Sequence, residues 1–136
     1  MKPLLIILML FCSLLLFAPG VNSILIVRIE PIEPFKTICK AVVEVESHGD
    51  MFAYNPKECA VGCLQIRPIR IKDYNSRTGS HYKLEDCYDY EVSKRIFMFY
   101  ANKFGPYETD KMIMALNGKG VKAREYLKKV KLILNN

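Results

Sequence analysis

Glu46 is the residue whose setting in the chain points most directly to chemistry. Residues 34–47, Pro-Phe-Lys-Thr-Ile-Cys-Lys-Ala-Val-Val-Glu-Val-Glu-Ser, predict a helix, with Pro34 near its first turn and Gly49 just past its end. With Phe35 at zero and roughly 100° per residue, Val42, Cys39 and Ile38 fall at about −20°, +40° and −60°, one apolar stripe. Glu46 lies at about +20°, inside that stripe, whereas Glu44 lies at about 180°, opposite it. A carboxyl facing a core loses hydration, so it gains a partner or keeps its proton to higher pH. A carboxyl still protonated near neutrality is what general acid catalysis needs. A buried structural pair would place Glu46 on the same stripe, so the wheel alone admits both readings.

Other residue types carry weaker signals. Gln65 is a polar residue in the apolar run Val61-Gly62-Cys63-Leu64-Gln65-Ile66, where it either satisfies backbone groups or faces a ligand. Cys39, Cys59, Cys63 and Cys87 are an even set in a small chain and predict two disulfides, with three pairings open. Cys59 and Cys63 have roughly zinc-like spacing, but no second close pair completes a site, so no metal is expected. Cys39, on the helix stripe, fits a buried thiol equally well. His48 is read as a solvated turn residue rather than a second titrating group.

The elements that must position these side chains are mostly helical. After the first helix, His48-Gly49-Asp50 turns the chain, and Asn55-Pro56 marks another turn. The run 61–66 reads as a small strand or a tight bend in which Gly62 allows close backbone approach. Residues 72–88 read as a polar surface loop. A second helix is expected from Asp89 or Tyr90 to about Phe104, with Val92, Ile96, Phe99, Tyr100 and Lys103 at helical spacing. A short third helix, Asp110 to Leu116, is expected with Thr109 as its cap. Asn117-Gly118-Lys119-Gly120 breaks it, and Val121 to Leu134 predicts a last amphipathic helix with a lysine-rich outer face. No repeat or low-complexity linker interrupts the chain. The fold class is α+β, predominantly helical, with a small irregular or β insertion.

The 136 residues suffice for one domain with a modest core. Residues 1–23 are read as a signal peptide: Lys2 leads the apolar run Leu4–Phe17, and Val21-Asn22-Ser23 tolerates cleavage. An uncleaved membrane anchor is the competing reading. Residues 24–136 then form the mature domain, exported to a periplasmic or extracellular location. Removing the leader takes away only Lys2 and leaves 19 basic against 14 acidic residues, a net charge of +5. That balance suits an anionic wall polymer or membrane surface, and export argues against nucleic acid.

Four pieces, in order along the chain, resemble the lysozyme-like domain of soluble lytic transglycosylases, the peptidoglycan-cleaving family related to goose-type lysozymes. They are Glu46-Ser47 ending an apolar helix; Ala60-Val61-Gly62-Cys63-Leu64-Gln65-Ile66-Arg67-Pro68, similar to Gly-Leu-Met-Gln-Ile-x-Pro; Ala115-Leu116-Asn117-Gly118-Lys119-Gly120, similar to Ala-Tyr-Asn-Ala-Gly; and Glu125-Tyr126-Leu127-Lys128-Lys129-Val130, similar to Tyr-Val-x-x-Val. The resemblance implies a lysozyme-like fold and a single catalytic carboxyl, Glu46. Glu46 would protonate the bond between N-acetylmuramic acid and N-acetylglucosamine, then activate the C6 hydroxyl to give a 1,6-anhydro end. Ser47, Gln65, Asn117 and Tyr126 would bind substrate or support the glutamate. No cofactor and no obligate oligomer are implied; the partners would be peptidoglycan glycan strands and, where such enzymes serve assembly, an envelope-spanning apparatus. The chain departs from the pattern at Leu116, where the family has tyrosine, and at Cys63, where it has an aliphatic residue. Glu58, Asp86 and Asp89 sit in loop-like contexts, and none is expected to act as a second catalytic carboxylate. A hydrolytic muramidase, an inactive wall-binding domain and a membrane-active basic toxin are the competing functions.

Overall fold

Helix α1 spans Lys36–Ser47 and carries the apolar stripe inward: Ile38, Cys39, Ala41 and Val42 are buried, and Phe35, just before its first turn, is buried as well. It ends where His48 takes a left-handed conformation, φ 53°, and its N–H donates to the Glu44 carbonyl. The computed structural model describes residues 35–135. The expected leader, its cleavage region and Pro34 lie outside the described residues.

A short antiparallel pair follows, β1 (Tyr54–Asn55) with β2 (Ala60–Val61), in the register Tyr54 to Val61 and Asn55 to Ala60. Val61 also bridges to Ile66, so the run 61–66 is strand, turn and bridge in succession. Gly62 is required at this turn. Its φ is +74°, and a Cβ there would stand 2.1 Å from the Cys87 carbonyl oxygen. The hydroxyl of Ser93, fully buried, donates to that same carbonyl at 2.6 Å.

Helix α2, Pro68–Thr78, takes the place of the first part of the surface loop expected over 72–88. Its limits obey ordinary rules: Pro68 lies in the first turn, and Gly79 closes the end with φ 71°. Its buried face holds only Ile71 and Tyr74, too few to stand out among the polar residues around them. Asn75, read as a turn residue, is helical, and its amide holds the following loop by two hydrogen bonds to the backbone of Tyr82.

A 3₁₀ turn at Glu85–Tyr88 leads into α3, Tyr90–Ala101, whose N-cap Asp89 accepts from the Glu91 and Val92 amides. The helix stops three residues short of Phe104, and its buried stripe runs through Ser93, Ile96, Phe97 and Ala101. Helix α4 spans Thr109–Leu116; Thr109 is its first helical residue, and no side chain makes a cap hydrogen bond there. Helix α5 spans Val121–Leu134, buries Ala123, Tyr126 and Val130, and packs against both α1 and α4. Each large apolar side chain buried in this core contributes roughly 1.5–3 kcal/mol.

Among the described residues the fold is mostly helical with one two-stranded sheet, and no helix is long and apolar enough to cross a membrane. The two expected disulfides are not formed. Cys39, Cys63 and Cys87 are buried as small apolar groups, Cys59 is exposed, and none of the four is disulfide-bonded. Burial pushes the Cys63 thiol up and the Cys87 thiol to about 11, which keeps both protonated and unreactive.

Candidate active site

The end of α1, the β1–β2 segment, the turn after β2, α3 and the middle of α5 surround an open cleft of about 340 Å³. That volume falls in the range of small-ligand sites. Glu46, Gln65, Asn117 and Tyr126, four of the five residues singled out in the sequence, line it.

Glu46 reaches this position because the α1 stripe continues to the helix's last turn and the left-handed His48 then ends it. The carboxyl is half-buried and meets the cleft. Tyr126, eighty residues later on the buried face of α5, donates its hydroxyl to Glu46 Oε1 at 2.6 Å. Burial raises the Glu46 pKa above its ordinary 4.5 and outweighs the Tyr126 hydrogen bond, which lowers it; the Glu58 charge raises it further, and Arg67 and Lys129 pull it down. Burial and the neighbouring carboxylate likewise raise the Tyr126 pKa, so its hydroxyl stays protonated and remains a donor.

Gln65 has φ 47°, a left-handed conformation that costs a non-glycine residue on the order of 1 kcal/mol or more. Its Nε2 donates to the Gly62 carbonyl at 2.9 Å and approaches the Ala53 carbonyl at 3.4 Å. The amide nitrogen therefore braces the turn that forms the cleft wall. Asn117 ends α4 and is exposed.

Ser47 does not line the cleft. Its Oγ lies 2.9 Å from the Cys63 carbonyl and 3.2 Å from the Val43 carbonyl, tying the end of α1 to the turn that bears Gln65. Its place is that of a brace behind the site rather than a substrate contact.

The structure adds residues that the sequence did not single out. Glu58, read as a loop residue, lines the cleft and makes an ion pair with Arg67 at 3.8 Å; both are substantially exposed, so the pair contributes little to stability. Arg70, Tyr100 and Lys129 line the cleft as well. Lys129 follows Tyr126 by three residues on α5, so it shares that side of the helix. This spacing was visible in the sequence; the hairpin that carries Glu58 to the cleft had no comparable signal.

The cleft thus joins a carboxyl whose pKa is raised by burial, a fixed hydroxyl donor, amide groups and flanking cations. Among the described residues, no group of three or more His, Cys, Asp or Glu side chains is arranged to hold a metal ion. The chain matches no family model, no curated protein and no solved structure.

Proposed function

We infer that the protein is an exported peptidoglycan lytic transglycosylase of lysozyme-like fold, in which Glu46 cleaves the bond between N-acetylmuramic acid and N-acetylglucosamine. The observation that carries this reading is the carboxyl of Glu46, half-buried in an open cleft, raised in pKa by burial and held by Tyr126. A protonated carboxyl gives its proton to the glycosidic oxygen as that bond breaks. The carboxylate left behind is stabilised by the Tyr126 hydroxyl, and it takes the proton of the C6 hydroxyl as that oxygen closes on C1. One protein carboxyl thereby serves as acid and then as base, and the product carries a 1,6-anhydro end. Gln65 and Asn117 would contact the sugars, and the cations Arg67 and Lys129 would face the anionic strand. Glycan strands are the partner; the leader places the enzyme at the wall.

Hydrolysis by a muramidase is the second reading, favoured by Glu58. A second carboxylate lining the same cleft supplies a base for an attacking water, as in two-carboxylate glycosidases.

The test is digestion of purified peptidoglycan by the wild-type protein and by Glu46→Gln, with the product ends read by mass spectrometry. Anhydro ends from the wild type and none from the variant are expected. Reducing ends lost in both Glu46→Gln and Glu58→Gln would establish the hydrolytic reading. Equal clearing by wild type and Glu46→Gln, or no clearing by either, overturns the assignment of Glu46 as the catalytic acid.

A further inference from the structure

Helix α5 has an outer side that neither the core nor the cleft uses. Ala123, Tyr126 and Val130 face the core. With Val130 at zero and about 100° per residue, Val121 and Leu132 fall at about 180° and −160°, on the far side of the helix. Both are exposed, at 61% and 66% of their full surface, and they mark the ends of one line about 16 Å long. Cations flank this line: Arg124 and Lys128 at about 120° and 160° on one side, Lys122 and Lys129 at about −80° and −100° on the other. All four are exposed. Glu125 is the one acid on the helix, against five basic residues.

Two of those five are already committed. Lys131 is held by Asp110 at 2.6 Å, and Lys129 lines the cleft, where its charge lowers the Glu46 pKa. Among the described residues Lys122, Arg124 and Lys128 enter no ion pair. An uncompensated cationic face draws in an anionic partner, and the apolar line narrows which one. A soluble polyanion offers charge but no apolar phase for Val121 and Leu132, whereas the boundary between lipid headgroups and acyl chains offers both. A second copy of the chain would bring like charges together and is disfavoured. No described helix is long and apolar enough to cross a bilayer, so the contact is one of surface docking.

We propose that α5 docks the protein on an anionic phospholipid surface, with Lys122, Arg124 and Lys128 against the headgroups and Val121 and Leu132 entering the interface. Tyr126 and Lys129, which line the cleft, lie about 130° and 70° around the helix from the docking line, so the cleft stays open beside the lipid. The proposal goes beyond the glycan-cleaving reading and does not depend on it.

The experiment is cosedimentation of the protein with vesicles of phosphatidylcholine alone and of phosphatidylcholine with phosphatidylglycerol added. At about 0.1 M salt the anionic vesicles should bind at least about tenfold more tightly, and the difference should shrink as salt rises. Combining Lys122→Gln, Arg124→Gln and Lys128→Gln should remove the difference. Leu132→Ser should weaken binding several-fold although no charge changes. Glu125→Lys should strengthen binding about fivefold at an unchanged melting temperature, a gain that a folding defect does not produce. All five positions are exposed, and every variant shares the remaining chain, so any pull from other segments cancels in the comparison. Equal binding to the two vesicle types, full anionic-lipid binding by the triple variant, or no gain in Glu125→Lys overturns the proposal. Wild-type binding by Leu132→Ser, with soluble polyphosphate bound as tightly as the vesicles, overturns it in favour of a wall polyanion. The vesicles hold no glycan, so this result and that of the peptidoglycan digestion are read independently.

Discussion

Tyr126→Phe deletes one oxygen atom and tests the central contact of the cleft. That oxygen donates to Glu46 Oε1 at 2.6 Å. A hydrogen bond between neutral groups contributes about 0.5–1.5 kcal/mol to stability, and one to a charged group about 1.5–3 kcal/mol. The deficit of the variant should therefore roughly double when Glu46 ionises. The folded-state pKa of Glu46 lies above its ordinary 4.5, so wild-type stability from this group falls as pH rises from 4.5 through the folded value. The hydrogen bond opposes that rise in pKa, so without it the folded pKa moves still higher and stability falls further across the same interval. Chemical denaturation of both proteins at mildly acid and at neutral pH measures the deficits, and carbon NMR of the Glu46 carboxyl reads the titration directly. For a domain of this size each kcal/mol corresponds to a melting shift of about 4–8 °C, so the effect is easily resolved. The same stability deficit at both pH values, or a Glu46 carboxyl titrating lower in Tyr126→Phe than in the wild type, refutes the argument.

Other perturbations test the surrounding frame. Glu46→Gln removes a group whose charged form is penalised by burial, so the variant should melt at or above the wild-type temperature at neutral pH and lose that advantage below pH 4.5. Melting curves at both pH values check this; a variant markedly less stable at neutral pH contradicts it. Gly62→Ala drives a methyl group to 2.1 Å from the Cys87 carbonyl at a φ of +74°, and should cost about 2–3 kcal/mol or more in urea unfolding. A thiol reagent should label Cys59 rapidly in the folded protein and reach Cys39, Cys63 and Cys87 only after denaturation. Failure to label any one of the four in denaturant without reductant would show a disulfide that the structure lacks.

The elements with a full apolar stripe were legible before folding was considered. Helix α1 begins and ends within two residues of expectation, α5 spans Val121–Leu134 as expected, and Glu46 meets the core side while Glu44 stays exposed. Helix α2 was missed because only Ile71 and Tyr74 are buried and Asn75-Ser76 resembles a turn; Pro68 and Gly79 were the available signals. The cysteines misled for a related reason. Their number suggests cross-links, yet Cys39, Cys63 and Cys87 serve as small core residues.

Periodicity is a local property, and the chain alone therefore determined the helices that carry a full apolar stripe and which glutamate turns inward. Convergence is not local. The Tyr126 hydroxyl on Glu46 and the arrival of Glu58 and Lys129 in the same cleft arise from packing α5 on α1 and folding the β1–β2 hairpin over the site. Only that packing set the burial that raises the Glu46 pKa, because desolvation depends on neighbours distant in sequence.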